Sequence, residues 1–322
     1  MIKVKNVTKK FGNFIAIDNM SFDVGENEIV GLLGPNGAGK STTMNLLTGY
    51  IEPTEGKILI NNFDIVKESI QAKKNIGYMP ESIPLYKELT VKEFIFFMAE
   101  LRGIRKVDRK KEVNNLITEI GLKDVENKII KNISRGYKQK VSLAGALVGN
   151  PSIIILDEPT VGLDPKQILE IRNLIKKLSE KHTIIVSSHT LSEISQICNK
   201  IIIINKGKII AVDTPEKLEK QTRENNSILI TVEDKNDNMQ NINKVISEIK
   251  KLKKIKNNQD GTVEYMIEFN KEIDLRSKLF NELPKQGITI FELKKQEKTL
   301  EEAFINLIDS NNNDKKNKEE KK

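Results

Sequence analysis

The chain has 322 residues, and its 53 Lys and Arg residues against 45 Asp and Glu residues give a formal net charge of +8. This length predicts one domain of about 200 residues followed by a smaller one. The single cysteine excludes an internal disulfide and fits a reducing compartment. The positive charge is spread through residues 1–220 rather than concentrated in a tail, so we attribute it to a lysine-rich surface and expect no nucleic-acid partner.

A glycine-rich loop follows the first predicted strands. Alternating apolar residues predict short strands up to Leu33, with a turn near Gly12. The next residues read Gly-Pro-Asn-Gly-Ala-Gly-Lys-Ser-Thr and precede a helix-competent stretch. Glycines at this spacing let backbone N–H groups converge on phosphate oxygens at a helix N-terminus, while Lys40 reaches the β- and γ-phosphates and Ser41 ligates Mg²⁺. We therefore predict a nucleotide site at Gly34, Pro35, Asn36, Gly37, Ala38, Gly39, Lys40, Ser41 and Thr42.

Helical periodicity begins at Thr90, where Thr90 and Glu93 form a predicted capping box. Three predicted helices make residues 85–150 a helical insert between sheet elements. After the insert, further elements are predicted as a strand at Ile153–Leu156, a helix from Asp164-Pro165, a strand at Thr183–Ser187 and a hairpin around Asn205-Lys206-Gly207. Fully apolar strands that alternate with helices indicate an α/β fold with a buried, largely parallel sheet.

Two acidic residues end the strand that follows the insert. Asp157 lies where it can hold Mg²⁺, and Glu158 follows it, placed to polarise an attacking water. Phosphoanhydride hydrolysis requires mainly positioning and charge neutralisation, so Mg²⁺, Lys40 and one base suffice. A solvated acidic turn is the alternative interpretation, and the phosphate loop disfavours it. The pattern predicts a Mg²⁺-dependent hydrolase of nucleoside triphosphates.

Three further segments carry a family resemblance. Residues 157–164, Asp-Glu-Pro-Thr-Val-Gly-Leu-Asp, resemble the Walker B and D-loop run of ABC-type ATPases, and residues 133–137 resemble the ABC signature. His189 follows a strand, as the switch histidine of that family does. The resemblance covers residues 1–220 and implies a P-loop NTPase domain of ABC type, with a mostly parallel sheet, an antiparallel N-terminal part and the helical insert.

The remaining chain reads as a small α+β domain over residues 221–309. We predict strands that alternate with helices at Ile228–Val232, Val263–Phe269 and Ile288–Leu293, and a last helix from a Thr299/Glu302 capping box. Residues 310–322 contain no apolar side chain and are predicted to be a disordered tail.

The resemblance implies a shared site. In ABC ATPases two nucleotide-binding subunits pair head to tail, so Ser134 and Gly136 are expected to touch the γ-phosphate bound by a second subunit, which is either another copy or a paralogue. Ser134 also reads as an ordinary helix N-cap. The resemblance further assigns Phe11 to adenine stacking and His189 to the γ-phosphate. A core phenylalanine and a surface histidine are the respective alternatives, and we expect His182 to be solvated. The D-loop residue Asp164 completes the predicted nucleotide contacts.

Two departures from the family pattern narrow the subgroup. Glu81 stands where the family usually has Gln, and the signature has Arg135 and Tyr137 in place of Gly and Gln. A carboxylate at position 81 can still approach Mg²⁺ or water, but it adds negative charge near the phosphates. Together with the small C-terminal domain, these variants are similar to antibiotic-export and gliding-motility-type ABC ATPases. That subgroup implies a separate membrane permease docking on the insert, with Phe96 the sharpest candidate contact.

We therefore expect the ATP-hydrolysing subunit of an exporter, with ATP and Mg²⁺ as cofactors. Apolar runs stay far below the ~20 residues needed to cross a bilayer, and Met1 leads directly into alternating apolar and charged residues. We expect a soluble chain without a signal peptide, held at the cytoplasmic face of the membrane by its permease. A soluble ABC ATPase of DNA repair or translation is the alternative, and a P-loop kinase or GTPase is a more distant one.

Overall fold

The computed structural model describes residues 1–82, 84–218, 226–234, 238–245, 249–269 and 275–296. The chain divides into two units, Met1–Pro215 and Glu216–Lys322, close to the predicted boundary at residue 220. Within the described ranges, no helix combines the length and apolarity that a membrane span requires.

The N-terminal part of the first unit is an antiparallel sheet. Its strands are β1 (Ile2–Phe11), β2 (Phe14–Val24), β4 (Glu55–Ile60) and β5 (Phe63–Asp64), in the order β2-β1-β4-β5. β1 turns its apolar residues Ile2, Val4 and Val7 into the core, and charged residues of the same strand face solvent. This alternation is typical of an antiparallel sheet that has one face in contact with water. β1 and β2 pair up to Phe11 and Phe14, so the turn predicted near Gly12 is confirmed.

A second, six-stranded sheet carries the predicted phosphate loop. Its strands are β3 (Ile29–Leu33), β6 (Ile76–Met79), β7 (Ile153–Leu156), β8 (Thr183–Ser188), β9 (Lys200–Asn205) and β10 (Lys208–Asp213), in the order β10-β9-β3-β8-β7-β6. All neighbours are parallel except β10 against β9. Every residue of β3, β7 and β8 is buried. Leu32, Ile155 and Ile185 belong to one apolar cluster with residues of α1 and of the antiparallel sheet, so this face of the parallel sheet is covered by both.

The first unit contains the helices α1 (Lys40–Leu47), α2 (Ser69–Lys74), α3 (Val91–Leu101), α4 (Lys106–Ile120), α5 (Arg135–Leu147), α6 (Pro165–Leu178) and α7 (Leu191–Ile194). The predicted capping box is present, because Thr90 and Glu93 each bind the other's backbone N–H. In α3, Phe94 is buried, Phe96 is half-buried, and Tyr86 packs edge-on against Phe97. α3, α4 and α5 form the predicted helical insert.

The second unit is the predicted α+β fold with one additional strand. It contains β11 (Asn226–Glu233), α8 (Asn238–Val245), β12 (Ile249–Asn257), β13 (Thr262–Phe269), α9 (Arg276–Glu282) and β14 (Ile290–Gln296), with the antiparallel order β12-β13-β11-β14. We predicted a helix alone between β11 and β13, so β12 is a correction. The predicted last helix and the tail at 310–322 lie outside the described residues.

Candidate active site

The predicted phosphate loop joins the C-terminal end of β3 to the first residue of α1. Gly37 and Gly39 have φ values of 77° and 108°, which favour glycine. A Cβ atom at Gly34 would lie 2.5 Å from the carbonyl oxygen of Ile204. Gly39 is the N-cap of α1 and has no side chain to occupy the first N–H groups of the helix. The loop therefore fits a phosphate, which would accept those hydrogen bonds.

Lys40 is held above this loop by backbone and side-chain contacts. Its Nζ atom donates a hydrogen bond to the carbonyl oxygen of Gly34 at 2.8 Å and lies 3.6 Å from Oε1 of Glu158. The side chains of Lys40 and Glu158 are both buried. A buried ammonium requires an anionic partner, and in this conformation Glu158 provides it.

Asp157 is the buried acid at the end of β7. Its Oδ1 accepts a hydrogen bond from the Ser187 hydroxyl at 2.5 Å. Burial is the main cause that raises the pKa of Asp157; the Ser187 hydrogen bond opposes this effect, the charge of Glu81 adds to it, and Lys40 and the Ser41 hydroxyl lower the pKa. Burial, assisted by the charges of Asp157 and Glu81, also raises the pKa of Tyr78 to about 12.

This part of the cleft therefore holds two acids, Asp157 and Glu81, near the hydroxyl of Ser41. Within the described ranges, no three His, Cys, Asp or Glu side chains are grouped to hold a metal unaided. Hard oxygen ligands in small number suit Mg²⁺, which usually takes one or two carboxylates together with phosphate oxygens and water. Ser41 and Asp157 fit such an ion when a nucleotide supplies the other ligands.

Glu158 occupies an unusual backbone conformation next to Asp157. Its φ of 48° lies in the left-handed region, which costs a non-glycine residue about 1–3 kcal/mol and is common at functional sites. The Ser187 hydroxyl oxygen accepts a hydrogen bond from the Glu158 backbone N–H at 2.8 Å. Oε2 of Glu158 lies 3.0 Å from Nδ1 of His189. The Glu158 carboxylate is thereby held between Lys40 and His189.

These groups surround one cleft of about 400 Å³. The predicted residues in its lining are Asn36, Gly37, Gly39, Lys40, Ser41, Thr42, Glu81, Glu158 and His189. Gly34, Pro35 and Ala38 belong to the same loop but not to the lining, and Asp157 lies beneath it.

Phe14 is an aromatic residue that lines the cleft, and it was not among the predicted site residues. Phe11, the predicted adenine contact, pairs with Phe14 across the β1–β2 hairpin and does not line the cleft. The sequence did contain a signal for it, because Phe14 is a second aromatic residue on the other side of the Gly12 turn from Phe11. The role of Phe11 in adenine binding stays a prediction.

The signature residues lie at a second cavity of about 200 Å³. Ser134 is the N-cap of α5, where its hydroxyl accepts a hydrogen bond from the Tyr137 N–H at 3.4 Å. Asp164 caps α6 in the same way through the Gln167 N–H at 2.9 Å. Ser134, Gly136 and Asp164 line this cavity, and among the described residues none lines both cavities. One chain therefore presents the phosphate loop and the signature at different places.

A direct link nevertheless joins the two regions. Nε2 of Gln139 in α5 donates a hydrogen bond to the carbonyl oxygen of Pro159 at 2.6 Å, in the turn that follows Glu158. His182, by contrast, belongs to neither region. Our expectation that it is solvated is wrong, because His182 is buried with Nδ1 2.7 Å from the carbonyl oxygen of Pro151.

The parallel sheet, the phosphate loop and the acids at the end of β7 together define a P-loop nucleotide-binding protein. Residues 17–161 match the family model described as ABC transporter. The bacitracin transport ATP-binding protein BcrA of Bacillus licheniformis is 33% identical over 318 residues, which cover 96% of this chain and 97% of that protein. The linearmycin resistance ATP-binding protein LnrL of Bacillus subtilis is 31% identical over 316 residues, covering 95% and 98%. The chain belongs to the ATP-binding proteins of ABC transporters.

Longer relatives and solved structures agree with this assignment. The probable multidrug ABC transporter ATP-binding protein YbhF of Escherichia coli is 37% identical over 223 residues, and this chain spans only 38% of its length. The dimeric post-hydrolysis structure of the ATP-binding cassette MJ0796 bound to ADP and Pi aligns with a TM-score of 0.61 and 29% identity, covering 67% of this chain and 99% of that one. The first unit thus has the predicted fold of an ABC cassette.

Proposed function

We propose that the chain is the ATP-hydrolysing subunit of an exporter that works with a separate membrane permease. The observation that carries this proposal is the convergence of Lys40, Asp157 and Glu158 at one cleft, with Ser134 and Gly136 at a different cavity. Each chain offers two complementary half-sites, so two subunits paired head to tail, as copies or paralogues, would complete two nucleotide sites. The dimeric state of the MJ0796 cassette supports this arrangement.

The residues of the cleft have separate tasks in ATP binding. The loop N–H groups and Lys40 bind the phosphates, and Ser41 and Asp157 hold Mg²⁺, with Glu81 adding negative charge beside them. When bound, the ion neutralises charge on the β- and γ-phosphates. A bound phosphate competes with Glu158 for the ammonium of Lys40. That competition leaves the Glu158 carboxylate, still oriented by His189, free to accept a proton from water.

The direction and location of transport rest on the relatives. Their names refer to bacitracin transport, linearmycin resistance and multidrug transport, which supports export of a drug-like cargo. The cargo contacts would lie in the permease, which docks on the helical insert near Phe96. This chain would then work at the cytoplasmic face of the membrane.

Glu158→Gln tests the role of the base. The amide keeps the size of the side chain but cannot accept the proton, so turnover should fall by about 100-fold or more, and ATP-bound dimers should accumulate in size-exclusion chromatography with Mg²⁺. Glu52→Gln makes the same chemical change at an exposed site and should behave as wild type. Wild-type turnover in Glu158→Gln would refute the assignment of the base.

Affinity purification from detergent-solubilised membranes tests the transport role. Recovery of a multi-spanning protein with the full chain would support the exporter. Recovery of ribosomes or DNA instead would favour a soluble ABC ATPase of translation or DNA repair.

A further inference from the structure

Arg135 stands inside the signature, between Ser134 and Gly136, as the first residue of α5. Its side chain is exposed, and its guanidinium lies against the backbone of Gly162. A Cβ atom added to Gly162 would lie 2.4 Å from Cζ of Arg135. Gly162 also has a φ of 72°, in the left-handed region. The backbone conformation therefore favours glycine at position 162, and the absence of a Cβ atom there leaves the space that the guanidinium occupies.

The charge of Arg135 is unfavourable where it stands in the isolated chain. The N-terminus of a helix carries partial positive charge, which favours anions and disfavours cations within the first turn. In the described part of the chain, the side chain of Arg135 makes no hydrogen bond or ion pair. An anion that approaches the signature would reverse this balance, because the positive end of α5 and the cation of Arg135 both attract negative charge.

We propose that Arg135 binds the phosphates of the nucleotide held by the second subunit, as a third contact beside Ser134 and Gly136. The inference rests on the proposed function, because it requires the head-to-tail pair. A guanidinium offers planar, paired N–H donors that match phosphate oxygens. Gly162 keeps the guanidinium beside the signature by giving it bare backbone to lie on. Arg135 is thereby a binding residue for the partner's nucleotide and has no contact with the nucleotide of its own chain.

The test uses the full chain carrying Glu158→Gln, which should form stable ATP-bound dimers. Size-exclusion chromatography or light scattering gives the protein concentration at half-maximal dimer formation with saturating Mg-ATP. Arg135→Ala should raise that concentration by roughly tenfold, the usual effect of losing a hydrogen bond to a charged group. Arg135→Lys should recover part of the loss. Lys131→Ala removes the same charge from an exposed site nearby and should stay near the parent.

Two further readouts separate binding from a structural role. ATP affinity of the dilute monomer should not change in Arg135→Ala, since the residue lies outside the chain's own cleft. Its unfolding temperature should not fall, because the substitution removes a cation from a helix N-terminus. The difference between Arg135→Ala and the parent should also shrink at high salt.

The possible failures are distinguishable. Parent-like dimerisation of Arg135→Ala, while Ser134→Asp loses the dimer, would overturn the inference and leave the proposed function intact. Weaker dimerisation together with a lower unfolding temperature would assign Arg135 a structural role and also overturn it. If the Glu158→Gln parent itself forms no ATP-dependent dimer, the proposed function fails and the inference falls with it.

Discussion

The phosphate-loop cleft and the signature cavity differ in how much of their chemistry one chain assembles. In the cleft, the side chains of Lys40, Asp157 and Glu158 are all buried and contact one another or Ser187. At the signature cavity, Ser134 is exposed, and its hydroxyl accepts a hydrogen bond from the Tyr137 N–H within its own helix turn. The first region is organised in the chain without a nucleotide, whereas in the proposed head-to-tail pair the second is completed by the other subunit.

The two regions also differ in their energetic burden. Asp157 carries a raised pKa, caused mainly by burial, and Glu158 adopts a left-handed backbone conformation. Both features oppose folding, and such features are retained at sites where they serve function. Ser134 instead stabilises α5 as its N-cap. A substitution that removes Asp157 should therefore lower activity and raise stability. A substitution that removes the Ser134 cap should lower both activity and stability.

Asp157→Asn should have the largest effect on activity. An amide binds Mg²⁺ less well than a carboxylate, and loss of metal stabilisation is worth several kcal/mol, so hydrolysis should fall on the order of 100-fold or more. The same substitution should raise the unfolding temperature in metal-free buffer near neutral pH, because it removes the burial penalty of the ionised acid.

The pH dependence of that gain has a defined sign. The pKa of Asp157 is raised in the folded chain, so protonation is easier in the folded than in the unfolded state. Its contribution to wild-type stability is complete below the ordinary pKa of about 3.8 and is lost as the pH rises through the folded pKa. The advantage of Asp157→Asn should shrink on acidification through that window. Asp124→Asn, an exposed control, should show no such trend. A less stable Asp157→Asn near pH 7 would contradict the prediction.

Substitutions of Ser134 should reduce activity by less than Asp157→Asn does. Ser134→Asp keeps an N-cap and adds negative charge where the partner's phosphate is expected, so ATP-driven dimerisation and turnover should drop by roughly 10- to 100-fold with little change in unfolding temperature. Ser134→Ala should lose activity and also about 0.5–2 kcal/mol of stability. Chromatography with ATP and calorimetric unfolding measure both effects. Wild-type turnover in Ser134→Asp would remove Ser134 from the shared site.

Local patterns in the sequence predicted the elements whose causes are local. The caps at Thr90, Ser134 and Asp164 each depend on a side chain and a backbone N–H three residues later, and all three are present. The phosphate loop likewise depends on the order of glycines within a short segment. The parallel sheet followed from strands that are apolar throughout.

The missed features have causes that lie elsewhere in the chain. β12 reads Ile-Lys-Lys-Leu-Lys-Lys-Ile-Lys-Asn, and lysine is uncommon in strands. The strand forms because it pairs with β13 at the edge of a sheet, where lysines also discourage pairing with other chains. His182 is buried, and its Nδ1 lies close to the carbonyl oxygen of Pro151. No local pattern around His182 indicates this contact.

The position of Glu81 near Asp157 is a further consequence of strand order. β6 and β7 are parallel neighbours whose register pairs Met79 with Leu156. The residues after both strands therefore meet at one edge of the sheet. The family resemblance led us to expect both acids near Mg²⁺, but the residue pattern alone does not state that the two strands are adjacent, and the strand order supplies the reason why the acids meet.

The end of the cleft where we expect adenine to stack differs from the rest of the cleft, because its aromatic side chains are exposed. Phe14 is 66% exposed and lines the cleft, and Phe11 is 51% exposed with the Lys9 ammonium 5.1 Å from its ring centroid. Stacking of aromatic rings is worth about 0.5–1.5 kcal/mol, so Phe14→Ala should weaken ATP binding roughly 2- to 12-fold. We expect Phe11→Ala to change it by less.

Isothermal titration calorimetry on the Glu158→Gln chain separates these cases, because hydrolysis then does not consume the ligand. ADP and inorganic triphosphate serve as paired probes: Phe14→Ala should weaken ADP binding and leave triphosphate binding unchanged, since only ADP has a base to stack. Both phenylalanines are exposed, so neither substitution should lower the unfolding temperature appreciably. A larger loss for Phe11→Ala would assign adenine stacking to Phe11. The hairpin would then have to turn Phe11 toward the cleft when nucleotide binds. In that case the adenine-binding end would be the part of the cleft that forms only with the ligand.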